Sequence, residues 1–254
     1  MQPMLGDLTP SRRPILVIGA SGSIGTAVAR SLAGCAAHVG VHYRSNLARA
    51  KEVQIFLNAH NTSADLFASD LSSESACKEL VTAFSSTPGG LGGLAICHGT
   101  INWKPWNSIE DSDWNEIFKQ HCLTPYYLVK HAIPIMEACG TGRVVFLSSI
   151  SPKYGGSQTS LHYAAAKSAL ETAMYGISKQ VAGKGIRING VRSGFVDTPL
   201  QRNGRTDQEL ETRISKIPVG RPGRPEEIAS AIRYLLSDEA DFITGEILTV
   251  AGGD

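Results

Sequence analysis

The sequence is poor in cysteine, carries almost no net charge and lacks any long apolar run. Its five cysteines are scattered without a C-x-x-C pair, which argues against a disulfide framework and favours a reducing, cytoplasmic setting. The formal net charge of +1 predicts no surface for nucleic acid or for a membrane. No apolar run reaches the roughly 20 residues that a membrane helix requires. Residues 1–13 are polar and lack the apolar segment of a signal peptide, so we expect a flexible N-terminal tail.

What the sequence does contain is an alternation of apolar strand patterns and helical patterns, which continues without a linker over residues 14–254. Its hydrophobic content of 42% is enough for a sizeable core. The alternation predicts a single α/β domain with a Rossmann fold, a doubly wound parallel sheet of about seven strands. The predicted strands are residues 14–18, 38–43, 64–68, 91–97, 143–149, 186–191 and 246–250. Residues 113–136 are predicted to form a helix bent near Pro125, and residues 200–217 a helical flap over a site.

A glycine-rich turn at residues 19–25 follows the first strand and precedes a helical pattern from Thr26. Strand, glycine turn and helix in this order are the context of a dinucleotide-binding turn. Glycines let the backbone approach a pyrophosphate, and the helix N-terminus supplies free N–H groups. The alternative is an ordinary turn between a strand and a helix. The candidate cofactor-binding residues of the turn are Gly19, Ser21, Ser23, Ile24 and Gly25.

The end of the second strand bears on cofactor choice. A carboxylate there would hold the ribose 2′-OH of NAD, whereas an arginine accommodates the 2′-phosphate of NADP. The sequence has Arg44 and Ser45 after Tyr43 and no acid. Arg44 can form a bidentate contact with a phosphate, and Ser45 can add a hydroxyl donor. We therefore expect NADP(H) to be preferred, with NAD(H) possible and with a plain surface role for Arg44 as the alternative.

Tyr163 and Lys167 are four residues apart in a helical pattern and so share one face of the helix. A nearby ammonium favours the phenolate, so we expect Lys167 to lower the pKa of Tyr163. A phenol tuned in this way exchanges a proton with a substrate oxygen. Ser149, at the end of the fifth strand, can hold the same oxygen. Asp70, after the third strand, can accept from an adenine amino group or cap the helix that begins near Ser72.

These landmarks together resemble the short-chain dehydrogenase/reductase family, and within it the 3-oxoacyl-[acyl-carrier-protein] reductase-like group. The resemblance covers about residues 14–254. It implies an NADPH-dependent reductase that transfers a hydride to a ketone, a 3-oxoacyl group or a related carbonyl, in a homotetramer or homodimer. The implied catalytic residues are the general acid Tyr163, with Lys167 and Ser149. The implied further cofactor contacts are Asp70, Leu71, His98, Gly99, Val196, Thr198, Tyr163 and Lys167.

The sequence departs from the family pattern at several positions. Cys97 and His98 stand where the family has asparagine and alanine before Gly99, and His98 either replaces hydrogen bonds or faces the cofactor. His121 occupies the position of a catalytic asparagine. Histidine can donate, accept and titrate, so His121 either preserves a proton relay or only packs. The spacing of Ser149 and Tyr163 is one residue longer than usual, which leaves Ser151 as a less favoured alternative.

The same histidines and neighbouring cysteines match no zinc-binding spacing, so we expect no metal. Two other functions remain open: an NAD(H)-linked alcohol or polyol dehydrogenase, and a nucleotide-binding sensor or assembly subunit with weak catalysis. Aromatic side chains either line a pocket for a flat or apolar ketone or pack loops and interfaces. These aromatic residues are Trp103, Trp106, Tyr154 and Phe195.

Overall fold

The computed structural model describes residues 12–202 and 206–254. The tail expected at residues 1–13 therefore lies mostly outside the described residues, as does part of the flap expected at residues 200–217. At the tail boundary, Arg13 donates to Thr141 Oγ1 (2.6 Å) and pairs with Asp238, which holds this residue against the domain.

Seven parallel strands form one sheet, in the order β3-β2-β1-β4-β5-β6-β7. The Rossmann fold expected from the sequence is confirmed. The strands are β1 (Pro14–Ile18), β2 (His38–Tyr43), β3 (Ser63–Ala68), β4 (Gly93–Ile96), β5 (Gly142–Ser149), β6 (Ile186–Ser193) and β7 (Ile247–Val250). The helices are α1 (Ser23–Ser31), α2 (Leu47–Ala59), α3 (Glu74–Ser85), α4 (Asp111–Phe118), α5 (Thr124–Ala138), α6 (Ser151–Tyr154), α7 (Leu161–Val181), α8 (Pro199–Arg202), α9 (Asp207–Ile214) and α10 (Pro225–Leu236).

Helices cover both faces of the sheet, and this explains why its strands are apolar throughout. Along β1, Ile15 and Val17 belong to the core beneath α1, α2 and α10. Leu16 and Ile18 belong to the core beneath α3, α5 and α7. Successive side chains of a strand point to opposite faces, so one continuous apolar run fills both layers. Within residues 12–202 and 206–254, no helix is both long enough and apolar enough to cross a bilayer.

The helix expected over residues 113–136 is interrupted by one π-helical turn, Lys119–Leu123, between α4 and α5. Pro125 lies in the first turn of α5. Because proline has no N–H and its ring crowds the carbonyl four residues earlier, it disturbs the helix at His121. The irregularity lies in the turn before Pro125, and His121 belongs to it; a bend of the helix near Pro125 stays a prediction.

The strand order reverses between β1 and β4, which leaves a crevice at the carboxyl ends of the central strands. The glycine turn follows β1, and residues 97–99 follow β4. Ser149 ends β5, and Gly194 follows β6. Parallel pairing brings these four chain segments to one edge of the sheet, although they are far apart in the sequence.

Candidate active site

Three of the cavities along this edge of the sheet hold the candidate catalytic and cofactor-binding residues. The first, of about 410 Å³, lies beside the ends of β2 and β3 and is lined by Gly19, Arg44, Asp70 and Leu71. The second, of about 360 Å³, extends to Tyr163, Lys167 and Thr198. These two cavities share Ser21, Gly22, Cys97, His98 and Gly99. The third, of about 410 Å³, is lined by Ser149, Tyr163, Trp103, Phe195 and Arg213, among others.

The glycine turn has no room for side chains at two of its positions. Gly19 has φ +75°, and a β-carbon there would lie 2.9 Å from His98 Cα. At Gly25 a β-carbon would lie 2.1 Å from the Gly19 carbonyl oxygen. Both positions require glycine, and α1 begins at Ser23, within the turn. This cradle at a helix N-terminus, open to two joined cavities, fits a dinucleotide pyrophosphate.

His42 on β2 supports the turn and was not identified from the sequence. Its Nδ1 accepts from the Gly19 N–H (3.0 Å), and its Nε2 donates to the Ser69 carbonyl (3.1 Å). Burial lowers the pKa of His42 to about 4, so the neutral tautomer required by both bonds persists at neutral pH. The position of His42 on a buried strand carried no sequence signal of this role.

Basic and polar residues gather beyond the end of β2. Arg44 lines the first cavity together with Asp70, whereas Ser45 lines none of the three. Asn46 and Arg49, which the sequence analysis missed, line the second cavity. The sequence signal that could have indicated them is their spacing of three residues at the start of α2. The alternative that Asp70 caps the next helix is wrong, because Ser73 is the N-cap of α3 and accepts from Ala76 N–H (3.2 Å).

The candidate catalytic residues meet where the second and third cavities adjoin. Tyr163 lines both, Lys167 lines the second and Ser149 lines the third. Lys167 is 3% exposed, and its Nζ donates to the Leu147 carbonyl (2.7 Å). Ser149 Oγ donates to Ser151 Oγ (3.0 Å) and accepts from the Ser151 N–H (3.1 Å). The structure therefore brings two hydroxyls and an ammonium to one place.

The charges of this group differ from the sequence expectation. Burial raises the pKa of Tyr163 to about 12, and the Ser149 hydroxyl acts weakly in the opposite direction. Burial also lowers the pKa of Lys167 to about 8. The expected lowering of the phenol pKa by Lys167 is not found, because desolvation raises that pKa and the opposing contribution comes from the Ser149 hydroxyl. At neutral pH the site holds a protonated phenol and a protonated amine.

His121 lies against the phenol ring. Its ring packs edge-on to Tyr163 with the centroids 4.8 Å apart, and its Nε2 lies 2.6 Å from the Thr100 carbonyl oxygen. A carbonyl only accepts, so Nε2 carries the proton and Nδ1 is left with a lone pair. Nδ1 is buried and has no hydrogen-bond partner among the described residues. Burial lowers the pKa of His121 well below its ordinary value, and Lys167 adds to that effect.

His98 also stays neutral. Burial lowers its pKa to about 3, with further lowering by Lys167 and His42. The Gln120 backbone acts weakly in the opposite direction, but neither ring nitrogen has a hydrogen-bond partner of ordinary geometry within the described chain. His98 lines both the first and the second cavity. Of the two roles considered for His98, this position favours facing the cofactor.

Among the described residues, no group of three or more histidine, cysteine, aspartate or glutamate side chains is arranged to hold a metal ion. Three of the four aromatic candidates, Trp103, Tyr154 and Phe195, line the third cavity. Trp106 is 71% exposed and lines none of the three cavities. Trp106 is therefore not a wall of the substrate cavity, and the alternative of a position outside the pocket applies to it.

The remaining candidates are placed as follows. Ser23, Ile24, Val196 and Thr198 line the second cavity. Gly25 is buried beneath the turn and lines no cavity, so its contribution is to let the backbone pass. Every candidate site residue other than Gly25 and Ser45 therefore faces at least one of the three cavities. The candidate residues on the cavities are Gly19, Ser21, Ser23, Ile24, Arg44, Asp70, Leu71, His98, Gly99, His121, Ser149, Tyr163, Lys167, Val196 and Thr198.

Comparison with known proteins identifies the family. A family model described as enoyl-(acyl carrier protein) reductase matches residues 19–254. The chain belongs to the short-chain dehydrogenase/reductase family. It is accordingly an NAD(P)-dependent oxidoreductase. The expected likeness to the 3-oxoacyl-[acyl-carrier-protein] reductase group is confirmed by curated relatives of that name.

The similar proteins extend over nearly the whole chain. The uncharacterized oxidoreductase YmfI of Bacillus subtilis is 34% identical, covering 94% of this chain and 97% of the relative. The 3-oxoacyl-[acyl-carrier-protein] reductase FabG of Salmonella typhimurium is 32% identical, covering 94% of this chain and 95% of the relative. A crystal structure of a 3-oxoacyl (acyl-carrier-protein) reductase from Agrobacterium tumefaciens C58, with NADP bound, has a TM-score of 0.91 at 28% identity. That alignment covers 100% of this chain and 99% of the other.

Proposed function

We propose that this short-chain dehydrogenase/reductase is an NADPH-dependent reductase that transfers a hydride to a ketone, namely a 3-oxoacyl group or a related carbonyl. One observation carries the proposal: the Tyr163 phenol stands where the second cavity meets the third. A cofactor in the joined first and second cavities and a substrate in the third would both reach this hydroxyl. The similar Agrobacterium reductase with NADP bound supports the same reading.

The residues around the first two cavities would hold the dinucleotide. The bare glycine turn fits the pyrophosphate, and Arg44 fits a 2′-phosphate at the end of β2. Lys167 and Thr198 lie at the opposite end, beside Tyr163. The bound cofactor supplies the hydride, which this chain has no group to provide.

The chain itself positions the carbonyl and supplies the proton. The Ser149 hydroxyl, which donates to Ser151 in this structure, would turn and donate instead to the substrate oxygen in the third cavity, orienting it. Tyr163, whose pKa is raised to about 12 by burial, holds its proton at neutral pH and donates it to that oxygen. The Lys167 ammonium stabilises the phenolate that remains, and it is charged below about pH 8. Pocket walls such as Phe195 exclude water.

His121 is proposed as a relay acceptor next to Tyr163 and Lys167. With Nε2 bound to the Thr100 carbonyl, only its Nδ1 lone pair is free, so it can accept a hydrogen bond but not donate one. An asparagine offers both. His121 would therefore stay neutral and accept a hydrogen bond at Nδ1 from a water or an ammonium, and the proton that restores Tyr163 would come through that donor rather than through the ring.

Replacement of the phenol tests the proposal. Tyr163→Phe should abolish NADPH oxidation with 3-oxoacyl thioesters while leaving the far-ultraviolet circular dichroism and NADPH binding intact. Tyr154→Phe, an exposed tyrosine on the same cavity, is the matched control and should retain activity. Full activity of Tyr163→Phe would contradict the mechanism. Reduction of an enoyl thioester with no reduction of the ketone would contradict the substrate class.

We also propose that the protein is cytoplasmic and forms a homodimer or homotetramer. All five cysteines are free thiols, which suits a reducing compartment. β7 is an edge strand of the sheet, and the fully exposed Phe242 precedes it. Light scattering after size exclusion gives the mass, and Phe242→Glu should shift an oligomer toward smaller species. A monomer at all concentrations would contradict this part of the proposal.

A further inference from the structure

The third cavity is lined by two kinds of polar group. Its lining includes the hydroxyls of Ser149 and Tyr163, where the proposed reaction occurs. Elsewhere on its wall stand two cationic side chains, Arg213 at the end of α9 and Lys216 just after it. Nothing in the proposed reduction of a simple ketone requires a guanidinium and an ammonium in the wall of the substrate cavity.

Arg213 already holds a carboxylate. Its guanidinium is ion-paired with the side chain of Asp254, which also lines the third cavity. The guanidinium also lies over the Phe195 ring, with Cζ 5.5 Å from the ring centroid. The planar fork of arginine is thereby held in place by an aromatic face and by an acid. The cavity wall is thus preorganised to bind a carboxylate.

Among the described side chains that line the third cavity, two are cationic, Arg213 and Lys216, and one is acidic, Asp254. Within the described chain, Lys216 makes no ion pair. The ammonium of Lys153, which does not line the cavity, lies 3.5 Å from the Asp254 main-chain oxygen. An anion entering the cavity would therefore meet two cationic side chains, Arg213 and Lys216.

We infer that the substrate carries a carboxylate in addition to its ketone, and that Arg213 and Lys216 bind it in competition with Asp254. This inference rests on the proposed ketone reduction, because it places the reacting carbonyl at Tyr163 and the carboxylate at the cationic wall. Asp254 occupies Arg213 when no substrate is present and keeps the guanidinium oriented. A substrate carboxylate then replaces Asp254 on the guanidinium and also reaches Lys216.

Two variants with opposite effects test the inference. The measurement is kcat/KM of the NADPH-saturated enzyme for levulinate and its longer keto-acid homologues, each beside its neutral primary amide. Arg213→Gln should lower kcat/KM for the acids by about tenfold or more, since charge-assisted bonds are lost, and leave the amides nearly unchanged. Asp254→Asn removes the same ion pair but should raise kcat/KM for the acids. Lys78→Gln, on the exposed face of α3, is the charge-matched control.

The opposite signs separate recognition from damage to the fold. If Arg213 and Asp254 only fasten α9 to the domain, both variants lower the rates for acids and amides together, and the inference is wrong. Equal preference for acid and amide in the wild type also overturns it. A second measurement does not depend on turnover: calorimetric binding of acid and amide to the NADPH complex of Tyr163→Phe. If the wild type reduces neither the keto acid nor its amide, the proposed function fails. If the acid nevertheless binds to the NADPH complex of Tyr163→Phe more tightly than the amide does, the carboxylate site stands.

Discussion

Gly99 leaves the space that the His121 ring occupies. A β-carbon on Gly99 would lie 2.2 Å from His121 Cε1 and 2.8 Å from Nδ1. Gly99 also has φ +137°, a backbone conformation that other residues rarely adopt. The glycine after β4 and the histidine of the π-helical turn therefore fit one another, and the His121 ring lies against bare backbone.

Gly99→Ala should displace the His121 ring and destabilise the fold by about 1–3 kcal/mol, the usual cost of overpacking. The rate of ketone reduction should fall with it, because the ring packs against Tyr163. Urea denaturation and kcat measure the two effects. Gly183→Ala is the control, since a β-carbon there meets nothing within 4 Å.

A double-mutant cycle with His121→Ala separates the steric term from the backbone term. Removing the ring should make Gly99→Ala less costly, and the part that remains reports the strained φ. Equal costs of Gly99→Ala in the presence and absence of the ring would show that the two residues do not interact.

Ser149→Ala should lower kcat for ketone reduction by about 10²–10³, the usual effect of losing one donor to a reacting oxygen. Ser151→Ala should change kcat much less, although the two hydroxyls are 3.0 Å apart and share a hydrogen bond. Steady-state kinetics on both variants decides which of the two serines contacts the substrate oxygen. A larger loss in Ser151→Ala would move the substrate contact to that residue.

The lowered pKa of Lys167 predicts a pH dependence of both activity and stability. Activity should decline as the pH rises through about 8, because the ammonium is lost. Between pH 8 and 10.5 the unfolded chain binds more protons at this residue than the folded chain, so its contribution to stability rises with pH in that window. Tyr163, raised from 10 to about 12, contributes in the opposite direction between those values. The difference in unfolding free energy between the wild type and Lys167→Met, measured across pH, isolates the lysine.

Glu171 provides an independent check on that prediction. It lies one turn beyond Lys167 on α7, and its charge raises the pKa of Lys167 against the effect of burial. Glu171→Gln should therefore move the alkaline decline of kcat to lower pH. Glu79→Gln on α3 is the matched control and should leave the profile unchanged. No inflection from His98 or His121 is expected near neutral pH, because both stay neutral.

Arg44→Met should weaken NADPH binding by about tenfold to a hundredfold and leave NADH binding nearly unchanged, since only NADPH carries the 2′-phosphate. Titration of nicotinamide fluorescence gives both dissociation constants. Lys51→Met, on the exposed side of α2, controls for loss of surface charge. Equal weakening for the two cofactors would remove Arg44 as the basis of the preference, and Arg49 would be the next candidate.

The sequence by itself determined the fold class and the succession of strands and helices along the chain. Apolar runs such as Pro14–Ile18 are continuous because both faces of a parallel sheet are covered, and this pattern is local enough to recognise. The glycine turn was found from its place between a strand and a helix, and the pair Tyr163 and Lys167 from its spacing together with the family resemblance. Such motifs encode their geometry within a few residues.

Only the tertiary structure decided the electrostatics and the distant partners. The pKa of Tyr163 depends on how many atoms exclude water from it, which spacing along α7 does not reveal, and so the sign of its shift was predicted wrongly. His42 supports Gly19 from a neighbouring strand, and Arg213 meets Asp254 across 41 residues. These contacts follow from strand register and helix packing, because residues far apart in the chain acquire a common environment only when the sheet and its covering layers assemble.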